Sequence, residues 1–174
     1  MKYAIFVLIC LSGSTILPAQ DFPATFLGHW EGDLEWFQTG KKTPQKVNMQ
    51  LFVAPSDSIN TYTWKLVYGE KNQDSRPYLI KAADSSKVHW IIDERNGILL
   101  DHYWTGNCLT GAFTVQQTTI INNFRVEGDQ LIVEFYAIAA KPVRISGGSG
   151  EEVPEVSSYG VKSYQKAVLR KKKA

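Results

Sequence analysis

The sequence predicts an all-β protein that folds as a single antiparallel up-and-down barrel of about 8 to 10 strands. Three features support this prediction. Apolar residues recur with a period of two, which is typical of strands that bury one face. Turn-forming residues separate these runs at intervals of about eight to twelve residues. No stretch of ten or more residues has helical periodicity, apart from a single helical turn predicted over residues 21–27.

The first three predicted strands, over 30–37, 46–53 and 61–68, alternate most regularly. In the first of them, Trp30, Leu34 and Trp36 alternate with acidic residues, so one face is apolar and the other is charged. Seven further runs alternate less regularly and complete the set: 78–83, 87–93, 98–104, 109–116, 119–126, 131–140 and 159–169. Together the runs predict ten short strands.

The connections favour a barrel over a β-sandwich. Gly, Asn, Asp and Pro lie between successive runs, as in hairpin turns, and Pro77 is predicted to fall between strands as well. Sequential hairpins without long crossovers predict a meander, and closing that meander removes exposed sheet edges. The one long connection, residues 146–158, is rich in Gly and Glu and is predicted to be a flexible loop.

The N-terminus predicts export. Lys2 is followed by an apolar run from Tyr3 to Leu11 and by small residues up to Ala19, which is the order of a secretory signal peptide. Cleavage after Ala19 divides the chain into residues 1–19 and a barrel domain of residues 20–174. That domain has 155 residues, a usual size for one domain. The protein is therefore predicted to be secreted or periplasmic, and no segment is long and apolar enough to predict a transmembrane helix.

Charge and cysteine content limit the function classes. Without Lys2 the chain has 18 basic and 17 acidic residues, and such a balance predicts no nucleic-acid partner. Residues 171–174 are predicted to form a solvated basic tail. Cys10 leaves with the signal peptide, so Cys108 has no partner for an intramolecular disulfide.

The motif Gly28-His29-Trp30, just ahead of an acidic alternating strand, resembles the opening of the calycin superfamily. This group includes lipocalins, fatty-acid-binding-like proteins and avidin-like barrels. The resemblance implies a lipocalin-like barrel in which Trp30 plugs one end and Arg170 (or Lys166) packs across the indole. Heme-binding relatives place a ligating histidine late in the chain, and none follows His102, so no cofactor is expected.

The three histidines are candidate metal ligands. His89 and His102 lie on consecutive predicted strands, and a turn of two or four residues would put both imidazoles on one face. A metal needs at least a third ligand, for which Asp93 and Asp101 are the nearest residues. No spacing typical of metal ligands is present. The prediction is therefore that no metal binds and that these are ordinary surface or cross-strand histidines.

The aromatic residues of the predicted strands suggest a ligand-binding function. A barrel of about ten strands can enclose more space than its side chains fill. Strand parity then predicts that Trp36, Trp64, Trp90 and Tyr103 line a lumen that takes up a small apolar molecule. The alternative is that these rings form a core without a cavity, and the sequence leaves both interpretations open.

Two other functions remain open alongside this carrier hypothesis. Glu134 and Asp101 interrupt apolar runs, and with His102 they could act as acid–base groups of an enzyme at the barrel mouth. The third hypothesis is an interaction protein that has a filled barrel and binds its partner on the outer face. An apolar cavity would favour the carrier, and a cavity with polar groups near Asp101 or Glu134 would favour the enzyme.

Overall fold

The computed structural model describes residues 22–70, 73–150 and 152–173, which form a closed barrel of ten antiparallel strands. The predicted all-β, up-and-down barrel is thereby confirmed. The predicted signal peptide, residues 1–19, lies outside the described residues, as does Cys10. Among the described segments, no helix is both long and apolar enough to cross a membrane.

The strands follow one another in chain order. A 3-10 turn over Ala24–Phe26, in the segment predicted to form one helical turn, precedes the first strand. The strands are β1 (Gly28–Gln38), β2 (Gln45–Pro55), β3 (Thr61–Tyr68), β4 (Asp74–Ala82), β5 (His89–Asp93), β6 (Leu99–Thr105), β7 (Cys108–Val115), β8 (Thr118–Glu127), β9 (Gln130–Ser146) and β10 (Val156–Lys171).

Each strand pairs with its neighbours in sequence, and β10 pairs with β1 to close the barrel. The last two strands are much longer than the others, with 17 residues in β9 and 16 in β10. They continue together beyond the barrel rim as a two-stranded arm, in which Ser146 pairs with Val156. Because residue 146 belongs to β9 and residues 156–158 belong to β10, the connection between the two strands is shorter than the predicted loop 146–158.

Strand parity separates a buried inner face from a polar outer face. On β1, Trp30 and Leu34 are buried, and on β2 so are Met49, Leu51 and Val53. Cross-strand pairing joins such residues around the barrel, since inward positions lie opposite inward positions. Burial of this inner face supplies the main stabilisation of the domain.

Aromatic rings fill one end of the barrel, called here the closed end. Phe22 lies at the centre of this cluster, with its ring centroid 4.7 Å from that of Trp90 and 5.3 Å from that of Trp104. Phe26 contacts Trp64 from the same side, at 6.1 Å between centroids. These edge-on and stacked arrangements are favourable for aromatic pairs, and they leave this end of the lumen filled.

Trp30 also lies at the closed end, but its basic partner is not the predicted one. Its indole Nε1 donates a hydrogen bond to the carbonyl oxygen of Phe26 at 2.7 Å, and the Lys171 ammonium lies 5.3 Å from the ring centroid. Lys171 is the residue paired with Trp30 across β1 and β10, so it reaches the indole. Arg170, one position earlier, points outward and forms an exposed ion pair with Asp129 at 2.9 Å.

The predicted basic tail is partly anchored. Lys171 belongs to β10, and the backbone N–H of Lys172 donates to the carbonyl oxygen of His29 at 2.8 Å. The Lys172 ammonium also lies 2.9 Å from the Glu31 carboxylate. These contacts extend the β1–β10 seam past the end of the strand.

Candidate functional site

The opposite end of the lumen, called here the open end, contains a cavity of about 430 Å³. Its wall is mainly aliphatic and aromatic, with a few polar groups contributed by β3, β4 and β10. The lining residues are Leu34, Trp36, Val47, Tyr68, Asp74, Arg76, Phe113, Ile120, Phe135, Ala137 and Gln165. All of them occupy inward positions of their strands, because the strand pairing places them opposite other inward residues.

A second, smaller cavity of about 80 Å³ continues the first toward the middle of the barrel. The two cavities share Tyr68, Arg76, Phe113 and Phe135 in their walls. The deeper walls of the smaller cavity include Trp64, Asn122 and Phe124, which border the aromatic cluster of the closed end. The lumen is therefore open at one end and closed by rings at the other.

Two charged residues point into the mouth of this lumen and neutralise each other. The Arg76 guanidinium binds the Asp74 carboxylate through Nε and Nη2, with the shortest contact at 2.7 Å. The hydrogen bonds with Arg76 lower the pKa of Asp74, and the same contact raises the pKa of Arg76, so both groups stay charged. The mouth of the lumen thus contains the Asp74–Arg76 ion pair rather than an unpaired charge.

Tyr68 forms part of the wall next to this ion pair. The Arg76 guanidinium lies 5.0 Å from the centroid of the Tyr68 ring, a cation–π distance. Burial raises the pKa of Tyr68 to about 12, so its hydroxyl is neutral at physiological pH. The hydroxyl is therefore a neutral group of the cavity wall and not an anion.

The predicted lining residues occupy three different environments. Trp36 lines the larger cavity and is 36% exposed at the open end, whereas Trp64 is fully buried in the wall of the smaller cavity. Trp90 is fully buried in the aromatic cluster, where its Nε1 donates to the carbonyl oxygen of Lys87 at 2.8 Å. The structure thus brings two of the predicted tryptophans to the cavities and places the third in the core.

Tyr103 is a correction to the predicted lining. It lies on the outer face, 49% exposed, and stacks on His89 with ring centroids 4.7 Å apart. His102 is the inward residue of β6, so its neighbour Tyr103 must point outward.

The two histidines also differ from the prediction that they share a face. Asp93 pairs with Leu99, and the Glu94 N–H donates to the Ile98 carbonyl oxygen at 3.0 Å, so the turn between β5 and β6 has three residues. An odd turn length reverses the parity expected for two or four residues. His89 consequently faces outward and His102 faces the lumen. In the described parts of the chain, no group of three His, Cys, Asp or Glu side chains is arranged to hold a metal.

The carboxylates considered for acid–base chemistry face away from the lumen. Asp101 lies 2.7 Å from the Nε2 atom of His89 on the outer face. Glu134 accepts a hydrogen bond of 2.6 Å from the Tyr164 hydroxyl and forms an ion pair with Arg125. The Tyr164 hydrogen bond and the Arg125 charge lower the pKa of Glu134. The enzyme candidates Glu134, Asp101 and His102 therefore do not share one site.

Sequence reasoning missed the charged and amide groups of the lumen. Asp74 and Arg76 lie in β4. The sequence predicts that this strand begins only at Tyr78, because a proline such as Pro77 is expected between strands. In the structure Pro77 is an outward residue within β4, opposite Lys65. The alternation of Asp74, Arg76 and Tyr78 was the signal that could have revealed a polar stripe on the inner face.

The comparisons with known proteins add no relative: no protein-family model matches the chain, and no curated protein matches it. The calycin resemblance therefore has two supports. One is the Gly28-His29-Trp30 motif, and the other is a closed antiparallel barrel of ten strands, which is compatible with a calycin-like barrel.

Proposed function

We propose that this protein is an exported, calycin-like carrier that binds a small, mainly apolar ligand in the open half of its barrel. The observation that carries the proposal is the 430 Å³ cavity in a lumen whose other end is filled by aromatic rings. Export, to the extracellular medium or the periplasm, is part of the proposal and rests on the signal-like residues 1–19.

The size and lining of the cavity support this function. Ligand pockets are typically about 300 to 1,000 Å³ in volume and combine apolar walls with a few polar groups. Here Trp36, Phe113 and Phe135 provide aromatic wall, and Gln165 adds a polar group. Because the Arg76 charge is already balanced by Asp74, the cavity is suited to a ligand whose bulk is uncharged.

The positions of the carboxylates support a carrier over the proposed enzyme. Asp101 and Glu134 face the outside of the barrel, where each is bonded to a neighbouring residue. The cavity likewise supports a carrier over an interaction protein with a filled barrel.

A cavity-filling variant tests the proposal. Ala137 lines the cavity, so Ala137→Phe should occupy the space that a ligand needs, and Ala112→Phe on the outer face is the matched control. The mature protein would be titrated with a naphthalene probe whose emission rises in apolar surroundings. We expect saturable, one-to-one binding to the wild type and to Ala112→Phe, and at least tenfold weaker binding to Ala137→Phe.

Circular dichroism and thermal unfolding would first establish that both variants are folded. If the folded wild-type protein does not bind the probe, or if Ala137→Phe binds it as tightly as the wild type does, the carrier proposal is wrong. The second result would place the probe on the outer surface.

A further inference from the structure

The charged side chains of the lumen include more carboxylates than cations. Of the described residues that line the two cavities, three are charged, namely Asp74, Arg76 and Glu94. The lining therefore offers two carboxylates for one guanidinium. A ligand that ends in an anion needs an unmatched cation, because burying a charge without a partner is unfavourable. The charge of this lining thus argues against an anionic ligand.

The two residues of the ion pair remain accessible at the mouth. Asp74 and Arg76 are two positions apart in β4, so both side chains lie on the inner face, opposite Tyr68 and Leu66 of β3. The side chains of Asp74 and Arg76 are 48% and 45% exposed, respectively. A molecule that enters the open end can therefore contact either group.

Asp74 occupies one side of the Arg76 guanidinium. The Arg76 Nε lies 3.2 Å from each Asp74 carboxylate oxygen, and Nη2 lies 2.7 Å from Oδ2. A guanidinium carries more N–H donors than one carboxylate can occupy. Within the described part of the chain, Nη1 has no hydrogen-bond acceptor. Arg76 therefore keeps donors for a ligand, although its charge is balanced by Asp74.

A neutral carbonyl and a carboxylate would meet different conditions at Arg76. The carbonyl of an ester, amide or ketone can accept from Nη1 without adding charge. A carboxylate would bring a second anion to the guanidinium that Asp74 already binds, and Glu94 lines the smaller cavity together with Arg76. Like charges repel more strongly in a partly desolvated cavity than in water. Displacing Asp74 is also unfavourable, because its attachment to the same strand gives it a high effective concentration at Arg76.

We propose that Asp74 determines the ligand specificity of the lumen: it excludes molecules that end in a carboxylate, and Arg76 instead binds an uncharged carbonyl. This inference rests on the proposed carrier function and specifies its ligand class, which is an apolar ester, amide or ketone rather than a fatty acid. The carbonyl lies where the two cavities meet, because Arg76 lines both of them.

Competition between octanoate and methyl octanoate tests this inference. Each compound would displace an uncharged naphthalene probe from the mature protein at neutral pH, and the inhibition constants would be corrected for the probe affinity of each variant. An ester is more apolar than a carboxylate and should bind better in any apolar cavity, so the decisive quantity is how their ratio changes. Asp74→Asn keeps the shape of the side chain but leaves the Arg76 charge unbalanced. We expect this variant to shift the ratio about tenfold toward octanoate.

A control and a second variant identify the source of that shift. Asp129→Asn also removes a carboxylate from an arginine, Arg170, but on the outer face, and it should leave the ratio unchanged. Arg76→Met, combined with Asp74→Asn, should abolish most of the shift, because no cation then lines the cavities. Arg76→Met alone should weaken methyl octanoate by about fivefold, because the carbonyl loses its charged donor.

The possible outcomes separate the two proposals. If the probe binds but Asp74→Asn leaves the ratio unchanged, or if Asp129→Asn shifts it equally, the inference about Asp74 is wrong while the carrier proposal stands. A shift that persists without Arg76, or an ester affinity that Arg76→Met does not lower, also overturns the inference. Circular dichroism would confirm that each variant is folded, and Asp74→Ser serves as the test if Asp74→Asn does not fold. If the folded wild type does not bind the probe, the carrier proposal itself fails.

Discussion

Replacing Lys171 with methionine tests which basic residue closes the Trp30 end of the barrel. The Lys171 stem crosses Gly28, where its Cε would lie 2.7 Å from an added Cβ, and its ammonium lies 5.3 Å from the centroid of the indole. Methionine keeps most of the apolar stem but removes the charge. The expected loss is therefore the cation–π energy alone, about 0.5 to 1 kcal/mol at an exposed site.

A double-mutant cycle isolates this energy from other effects. Trp30→Leu, Lys171→Met and the double variant would be unfolded in urea, and the free energies of unfolding compared. We expect a coupling of about 0.5 to 1 kcal/mol between Trp30 and Lys171, and for Lys171→Met alone a lower Tm by roughly 1 to 4 °C in a domain of this size. The matched cycle with Arg170→Met should give a coupling within about 0.3 kcal/mol of zero, because Arg170 bonds only the exposed Asp129.

A coupling at Arg170 that equals or exceeds the coupling at Lys171 would refute the assignment of Lys171. It would mean that the β1–β10 register in solution differs by one residue, so that the positions exchange faces. A coupling near zero at both residues would mean that the exposed ammonium is fully hydrated and stabilises nothing. Either result would be clear at the usual precision of such cycles.

Two further predictions concern the walls of the barrel. Gly111→Ala should destabilise the fold by about 1 to 3 kcal/mol in urea unfolding, because its Cβ would lie about 2.5 Å from the buried His102 ring. Gly160→Ala should cost much less, because its Cβ would meet the Val143 side chain at 3.3 Å and the Ala139 Cβ at 3.9 Å, and equal losses would contradict the close packing at Gly111. The pKa of Glu134 is lowered in the folded state, so its stabilising effect is complete above its ordinary pKa and is lost as pH falls through the lowered value. Wild-type stability should therefore fall more steeply than that of Glu134→Gln between about pH 5 and pH 3. Glu35→Gln is the control: it removes only an exposed partner of Lys46, so its stability should follow that of the wild type.

The strand pattern was predictable because a period of two depends only on local sequence. One buried face requires alternation, and the alternation of β1 to β3 is visible without any knowledge of their neighbours. The face shared by residues on different strands was harder to predict, since it depends on turn length. The three-residue turn at Arg95–Gly97 shifted the parity between β5 and β6 and moved Tyr103 to the outside.

The same dependence on register explains the error at the closed end. A basic partner for Trp30 was expected, and a lysine is present, but it is one of four consecutive basic residues, Arg170 to Lys173. Sequence alone cannot decide which of them lies opposite the indole. The β1–β10 pairing decides it, because Trp30 pairs with Lys171 and Glu31 pairs with Arg170.

The question that the sequence left open, whether the aromatic rings fill the barrel or line a cavity, has a different answer at each end. Trp90 belongs to the packed closed half, and Trp64 lies where that half meets the smaller cavity. Trp36 lies at the open half beside small residues such as Ala137 and Val47. Composition cannot predict this separation, because it arises from which strand ends the register brings together. One consequence is that substitutions in the closed half should act mainly on folding. Substitutions around the mouth should act on the proposed binding, because the residues there contribute less buried apolar area to the core.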